Sequence, residues 1–201
     1  MKPYYENDNG VLYCGDCLEI MPQLEPVDLV LTDPPYGIGI ANNPFRQKYQ
    51  KQDWDNEPPA QEVFSVMFNI SKYQVFWGGN YFNLPPSQGF FVWDKIQPEK
   101  FSSSMCEFAW TNKQQPAKLF RQHVVSYTKE HPTQKPEPLM IWCLGFFEEA
   151  TTVLDPFLGS GTTAVACERL NRKWIGIEIS EEYCEIAAKR IDAENRQLKL
   201  F

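Results

Sequence analysis

The sequence predicts an α/β fold, a doubly wound sheet with helices on both faces, as a single domain over residues 1–201. Three observations carry this expectation. Strand-like and helix-like hydrophobic patterns alternate throughout the chain. The run Val27–Leu31 is short, apolar and β-branched at intervals, as a buried parallel strand is, and the chain then turns at Asp33-Pro34-Pro35-Tyr36-Gly37. Late in the chain, Thr151–Asp155 reads as a strand followed by a glycine loop, a helix, a second strand and an acid.

In order, Gly10–Cys14 is a short strand ended by Gly15-Asp16, and Leu18, Ile20, Met21 and Leu24 mark a short helix before the Val27 strand. Residues 41–60 are polar and read as a loop or insert. Residues 61–72 pattern as a helix with Val63, Phe64, Met67 and Phe68 inward, and strands follow at Gln74–Trp77, Gly89–Trp93 and Cys106–Trp110. Residues 112–136 look irregular. An apolar helix spans 137–148, begun by Pro138. The strand to Asp155, the helix Ala164–Leu170 and the strand Lys173–Glu178 follow, and Ser180 caps a final amphipathic helix reaching about Gln197.

Composition narrows the possibilities. A chain with 43% hydrophobic and 14% aromatic residues is globular, and 201 residues suffice for a sizeable core. It has neither a run of roughly 18 apolar residues nor a signal-peptide pattern, so a cytoplasmic protein is expected, with no membrane partner. Six irregularly spaced cysteines in such a chain predict thiols rather than a disulfide scaffold. Cys14 and Cys17 have CxxC spacing without a second pair, so no metal site is expected. The net charge of −7 argues against a general polyanion binder. That charge is uneven: residues 1–36 carry one Lys/Arg and seven Asp/Glu, residues 37–130 ten and eight, residues 131–201 eight and eleven. Any contact with a polyanion should come from the middle.

Two stretches hold the chemistry. Pro34 and Pro35 end the strand and fix φ, so Asp33 and Tyr36 sit on a stiff corner at a strand's carboxyl end, where open α/β sheets bind ligands. Gly159-Ser160-Gly161-Thr162-Thr163-Ala164 fits the G-x-G-x-x-G/A fingerprint, and Glu178 lies at the end of the next strand, where an acid takes a ribose diol. Asp155 would repel a pyrophosphate and welcome an ammonium, while the helix N-terminus suits a carboxylate. S-adenosylmethionine, with an adenosine, a ribose diol and an amino acid, meets these demands.

The set DPPYG at 33–37, HPTQKP at 131–136, DPFLGSGTT at 155–163 and GIEIS at 176–180 closely resembles the amino-group DNA methyltransferases. The early DPPY and late cofactor loop look like that family's β-type order. Val92–Lys95 and Cys106–Trp110 look like its weaker central motifs, so the resemblance covers nearly the whole chain. It implies a Rossmann-like S-adenosylmethionine-dependent methyltransferase sheet, circularly permuted. The strand before Asp155 would be first, that of residues 173–178 second, the N-terminal strand third and the Val27 strand fourth. By resemblance, Asp16 contacts the adenine, Glu178 the ribose, and Asp155 with Phe157 the methionine end. Thr133 and Lys135 would approach the methionine portion, and Gly159, Ser160, Gly161 and Thr162 form the cofactor loop.

The resemblance further implies methylation of an exocyclic amino group of a flipped-out base, with adenine N6 in double-stranded DNA the expected target. Asp33 and the Pro34 carbonyl would each accept an N–H, while Tyr36 offers a stacking face. Cytosine N4 or RNA adenine methylation are alternatives, and a close relative of this motif modifies protein amides. A nucleic-acid-binding module without activity is opposed by the intact Asp33, Tyr36, Gly159, Gly161 and Glu178. A nicotinamide oxidoreductase is opposed by Asp155 and the DPPY corner.

Larger relatives carry a sizeable recognition region, whereas here only residues 41–60 and 94–130 are free. Their Arg46, Lys48, Lys51, Lys95, Lys113, Lys118 and Arg121 are the expected DNA contacts. So small a recognition surface points to a short site, a homodimer, or a partner such as a restriction endonuclease. Neutralising Arg46, Lys48 and Lys51 together is expected to weaken DNA binding and flatten its dependence on salt. An unchanged slope in a salt titration of the triple variant would remove that segment from the interface.

Overall fold

A computed structural model of the protein describes residues 1–38, 57–100, 104–124 and 134–198. The described residues form one nine-stranded mixed sheet. In chain order the elements are β1 (Tyr5–Glu6), β2 (Gly10–Cys14), α1 (Cys17–Ile20), β3 (Val27–Thr32), α2 (Gln61–Ile70), β4 (Ser71–Trp77), β5 (Phe90–Asp94), β6 (Cys106–Thr111), β7 (Lys118–Arg121), α3 (Glu137–Leu144), β8 (Thr152–Asp155), α4 (Thr162–Arg169), β9 (Lys173–Glu178) and α5 (Glu181–Leu198). Across the sheet the order is β1-β2-β9-β8-β3-β4-β6-β5-β7. The five strands from β2 to β4 are mutually parallel, so their carboxyl ends share one edge.

Helices cover both faces, as expected. Leu29 and Leu31 of β3 pack with Leu139 and Leu144 of α3, Ala166 of α4 and Ile191 of α5. Val30, pointing the other way by the two-residue period of a strand, packs with Ile20 of α1 and Val63, Phe64 and Met67 of α2. Because β3 is apolar on both faces it sits in the middle of the sheet rather than at an edge. The strand neighbours β2–β9, β9–β8 and β8–β3 are those the resemblance implied.

Two expectations need correction. Strand and helix stop alternating after β4: β6 pairs antiparallel with β4, and β5 antiparallel with β6, with only the single 3-10 turn Gly79–Tyr81 and no α-helix between them among the described residues. Gly78 at φ +72° and the pair Pro85-Pro86 interrupt the chain between β4 and β5, and β5 and β6 then form an antiparallel hairpin. Residues 112–136 are not irregular throughout, since Lys118–Arg121 adds β7 in parallel to β5. Four residues with a cation at each end show too little apolar alternation to be read as a strand, and those charges suit an edge.

Two sets of bonds hold the sheet in register near the site. The Asp28 carboxylate accepts the backbone N–H groups of Thr151 (2.8 Å) and Thr152 (2.9 Å) and both threonine hydroxyls, pinning the start of β3 to β8. At the other end, the Thr32 hydroxyl donates to Asp155 Oδ1 at 2.6 Å. The amino-terminal strands are tied down by Glu168 of α4. Its buried carboxylate accepts from the Trp174 indole N–H (2.7 Å), Asn7 Nδ2 (2.6 Å) and Asn9 Nδ2 (2.8 Å). Gly10 is required beside it, because a Cβ there would lie 2.2 Å from the Trp174 ring.

Among the described residues no helix is long and apolar enough to cross a membrane, and no group of ligating side chains could hold a metal ion. All six cysteines are unpaired. Glu168→Ala strands the buried Trp174 N–H and is expected to cost about 2–4 kcal/mol, whereas Glu168→Gln, which keeps an acceptor, costs less. Urea unfolding of the two variants against wild type measures the difference.

Candidate active site

The carboxyl ends of β2, β9, β8 and β3 open onto one cavity of about 670 Å³, the size of a nucleoside-class ligand site. Each strand delivers a different group to its wall. After β2 come Gly15 and Asp16, after β9 Glu178 and Ile179, after β8 Asp155, Phe157, Gly159 and Ser160, and after β3 Asp33 and Pro35. Thr162, Lys135, Gln134 and Tyr183 also line it. Sequence reasoning had not singled out Ile179, Gln134 or Tyr183 for the site; they lie beside motif residues but carry no distinctive chemistry of their own.

The glycine loop divides its labour. Gly159 has φ +54° and open space where a Cβ would stand, so its backbone is accessible to a ligand. Gly161, at φ +88°, does not line the cavity; a Cβ there would meet the Ala187 Cβ of α5 at 3.0 Å, so this glycine lets the loop pack on a helix. Arg190 of α5 secures the same loop, donating to the Ser160 carbonyl, to Ser160 Oγ (2.9 Å) and to Thr162 Oγ1 (3.4 Å).

Glu178 accepts the Gly159 N–H at 2.8 Å on one oxygen and the Ser180 N–H at 2.9 Å on the other. Each oxygen keeps a lone pair for a further donor. Burial raises its pKa, against the pull of those N–H groups. Asp16 caps α1 through the Leu18 N–H at 2.8 Å while also facing the cavity, so the turn role and a binding role coexist. Asp155 accepts from Thr32 and from the Phe157 N–H at 3.1 Å, and burial pushes its carboxyl up to about 6 despite those bonds. A cation in the cavity would draw that value down.

At the β3 exit, Pro34 is buried and Pro35 lines the cavity. Asp33 Oδ1 accepts the Tyr36 hydroxyl at 2.6 Å, and Oδ2 accepts Lys135 Nζ at 2.6 Å. Lys135 also bonds Glu107 Oε2 at 2.9 Å and the Tyr36 hydroxyl oxygen at 3.0 Å. Glu107 Oε1 in turn holds Lys95 Nζ at 2.5 Å. Burial raises the Asp33 carboxyl, with Lys135 opposing it and Glu107 adding to it. Glu107 goes the other way, down to about 2, because Lys135 and Lys95 outweigh its burial. Lys135 stays charged: its two carboxylates override the effect of burial. The Tyr36 hydroxyl is pushed well up by burial and by the acids around it, so it is a donor here. Its ring stacks on Tyr81 with centroids 4.9 Å apart and lies against Gly78, where a Cβ would come within 2.1 Å of it. Tyr81, 45% exposed, is therefore the open ring at this corner.

Glu107 was not recognised from the sequence, although a lone acid inside the apolar strand Cys106–Thr111 was the available signal. Among the basic candidates for DNA contact, Lys95 is bound to Glu107 and only 12% exposed, so its charge is engaged inside the protein. Lys113 reaches the Phe146 carbonyl, and Lys118 sits over the Phe146 ring. Both lie toward the sheet edge away from the cavity, because β6 runs antiparallel to β4 and the β7 register places Lys118 at the start of β5. Arg121, opposite Asp94 at the cavity end of β5, is 68% exposed and pairs with Asp94 at 3.2 Å. Arg46, Lys48, Lys51 and Thr133 lie outside the described residues.

Residues 72–189 match the family model for DNA methylases of the N6/N4 type. The chain is 28% identical to the type II methyltransferase M2.DpnII of Streptococcus pneumoniae, over 96% of this chain and 94% of that one. It is 30% identical to the type II methyltransferase M.HpaI of Haemophilus parainfluenzae, over 91% and 74%. Among solved structures, M1.HpyAVI in complex with S-adenosylmethionine superposes with a TM-score of 0.59 at 26% identity, covering 89% of this chain and 98% of that one. The cytosine-N4-specific PvuII methyltransferase shares the fold, with a TM-score of 0.65 at 19% identity and coverage of 98% and 95%. With its strand ends, glycine loop and DPPY corner gathered on one cavity, the chain belongs to the S-adenosylmethionine-dependent amino-group DNA methyltransferases.

Proposed function

We propose that the protein methylates the exocyclic N6 amino group of adenine in double-stranded DNA, by direct transfer to a base flipped out of the duplex. The observation that carries this reading is the single cavity with Asp33 at one wall and Asp155, Glu178 and Asp16 along the others. That donor set fits S-adenosylmethionine. Glu178 has an oxygen lone pair for each ribose hydroxyl, Asp155 is a buried acid suited to an ammonium, and Asp16 can accept from the adenine amino group. When bound, the cofactor supplies an electrophilic sulfonium methyl group.

The chain's own residues prepare the acceptor. An amino nitrogen conjugated to a base ring is a poor nucleophile because its lone pair is delocalised. Asp33 accepts one N–H and the Pro34 carbonyl the other, holding the nitrogen so that its lone pair leaves the ring plane. The charged Asp33 also stabilises positive charge developing on that nitrogen. Tyr36 fixes Asp33 Oδ1, and the Tyr36–Tyr81 stack gives the base an aromatic wall. Extruding the base costs a few kcal/mol, which phosphate contacts from Arg121 and from Arg46, Lys48 and Lys51 help offset. Cytosine N4 is the second reading, since its amino group offers the same two N–H donors; the DPPY form of the motif favours adenine by resemblance.

Asp33→Ala is expected to lower methyl transfer by about 10²-fold or more while cofactor affinity holds, and Glu178→Ala to weaken the cofactor with less effect at saturation. Labelled cofactor and double-stranded DNA, followed by digestion and nucleoside analysis, should yield N6-methyladenine. N4-methylcytosine as sole product would select the second reading, and full activity of Asp33→Ala would remove the mechanism.

We further propose that the chain order arose by circular permutation, supported by the pairing of the first long strand, β2, with the last, β9. Tyr5 on β1 already meets Asp192 near the end of α5 at 2.7 Å. A chain restarted at residue 134, with residue 201 joined to residue 1 by a short linker, is expected to fold and bind cofactor with unchanged affinity by calorimetry. An unfolded product would count against this origin.

A further inference from the structure

We propose that Lys135 and Glu107 are positioning residues for the transfer reaction, Lys135 keeping the Asp33 carboxylate charged and aimed, and Glu107 keeping Lys135 on Asp33. The inference rests on the proposed role of Asp33 and adds to it.

The geometry is specific. Lys135 lines the cofactor cavity, and its relatives' pattern would send it toward the methionine portion. Its ammonium instead meets three groups of the acceptor corner: Asp33 Oδ2 at 2.6 Å, Glu107 Oε2 at 2.9 Å and the Tyr36 oxygen at 3.0 Å. Only 4% of the side chain is exposed. Glu107 is held on its other side by Lys95 at 2.5 Å. Charges therefore alternate along Asp33, Lys135, Glu107 and Lys95, which come from the β3 exit, the segment before α3, strand β6 and the end of β5. Four elements converge to build this row, which a lysine serving only a flexible ligand would not require.

The chemical consequence concerns Asp33. In a buried site a carboxylate is costly, and the other charged groups facing it, Glu107 from β6 and Asp155 from β8, are both acids. Lys135 is the cation in contact with it. Without that cation Asp33 takes up a proton, and a carboxylic acid offers the amino nitrogen an O–H donor on the oxygen that should accept. With the cation in place each carboxylate oxygen is engaged once, Oδ1 by Tyr36 and Oδ2 by Lys135. A carboxylate has about four acceptor positions, so capacity remains for a base N–H without displacing either partner.

Neutralising Lys135 and neutralising Glu107, each with the side chain's shape kept, thus act on the charge of Asp33 with opposite sign. Asp33 works when deprotonated, so activity is present above its pKa and lost below it. Lys135→Met raises that pKa and moves the acid limb of kcat to higher pH. Glu107→Gln keeps an amide oxygen that can hold Lys135 on Asp33 while removing a like charge, and so moves it to lower pH. A merely structural defect lowers activity at every pH alike, and a lysine that only binds cofactor changes its affinity and leaves the limb in place.

The test measures kcat against pH with saturating S-adenosylmethionine and duplex DNA, for wild type, Lys135→Met, Lys135→Arg and Glu107→Gln, with cofactor affinity read separately by calorimetry. The expected result is a loss of about tenfold or more at neutral pH for Lys135→Met, recovered as pH rises, with cofactor affinity kept. The acid limb of Lys135→Arg stays near wild type, and that of Glu107→Gln falls below it. Unmoved limbs, or a rise in cofactor Kd as the sole effect, overturn the proposal. Should Lys135→Met fail to fold, the direction of the Glu107→Gln limb decides alone. Wild-type protein that methylates no base would instead remove the underlying assignment of Asp33, so the two failures are separable.

Discussion

The seam between β3 and β8 is the constraint on which the site depends. Only two residue pairs are in ladder register across it, Leu29 with Val153 and Val30 with Leu154. Its alignment is secured at both ends by side chains, Asp28 gathering the Thr151 and Thr152 donors at one and Thr32 reaching Asp155 at the other. Parallel strands place all their carboxyl ends on one edge, so a fixed register there fixes the distance between the β8 exit and the β3 exit. The β8 exit carries the groups suited to a methyl donor, the β3 exit the groups suited to its acceptor. A slip of one residue would turn every side chain of β3 to the opposite face and part Asp33 from Asp155.

Three carboxylates on this edge are given different characters by their surroundings. Glu178 takes two backbone N–H groups and keeps a lone pair on each oxygen, a disposition for hydroxyl donors. Asp155 is buried with hydroxyl and amide donors but, among the described residues, no cation beside it, and its carboxyl is pushed to about 6, ready for a positive ligand. Asp33 is matched with a lysine that is itself matched with Glu107. Identical chemical groups thus differ in function through burial and partners, as buried acids commonly do. Ion pairs removed from water contribute little net stability, so a buried row of this kind is better understood through the charge state it imposes than through the strength it adds.

The glycines and aromatics show the same division between packing and chemistry. Gly159 leaves open space toward a ligand, whereas Gly161 makes room for Ala187. Tyr36 commits its hydroxyl to Asp33 and packs its ring on Tyr81 and Gly78. The stiffness of the corner comes as much from this packing as from the two prolines.

Much of the fold was legible because it rests on local pattern. Val27–Leu31 is apolar on both faces and so had to be a central strand, Ser180 caps α5 with its hydroxyl 3.4 Å from the Tyr183 N–H, and the glycine loop announced the turn into α4. The residues of the cofactor cavity were legible for the same reason, each lying within a few positions of a strand end. The short strand β7 was not, since four residues carry too little periodicity, nor was the antiparallel placement of β5 and β6, whose segments were legible as strands but not their pairing direction. Nor was the row from Asp33 to Lys95, whose members are 102 positions apart between Asp33 and Lys135 and belong to four different elements. By itself the sequence determined which groups the protein would carry and at which strand ends. Tertiary structure alone decided which charges meet, because burial and pairing depend on contacts between elements that no local pattern records.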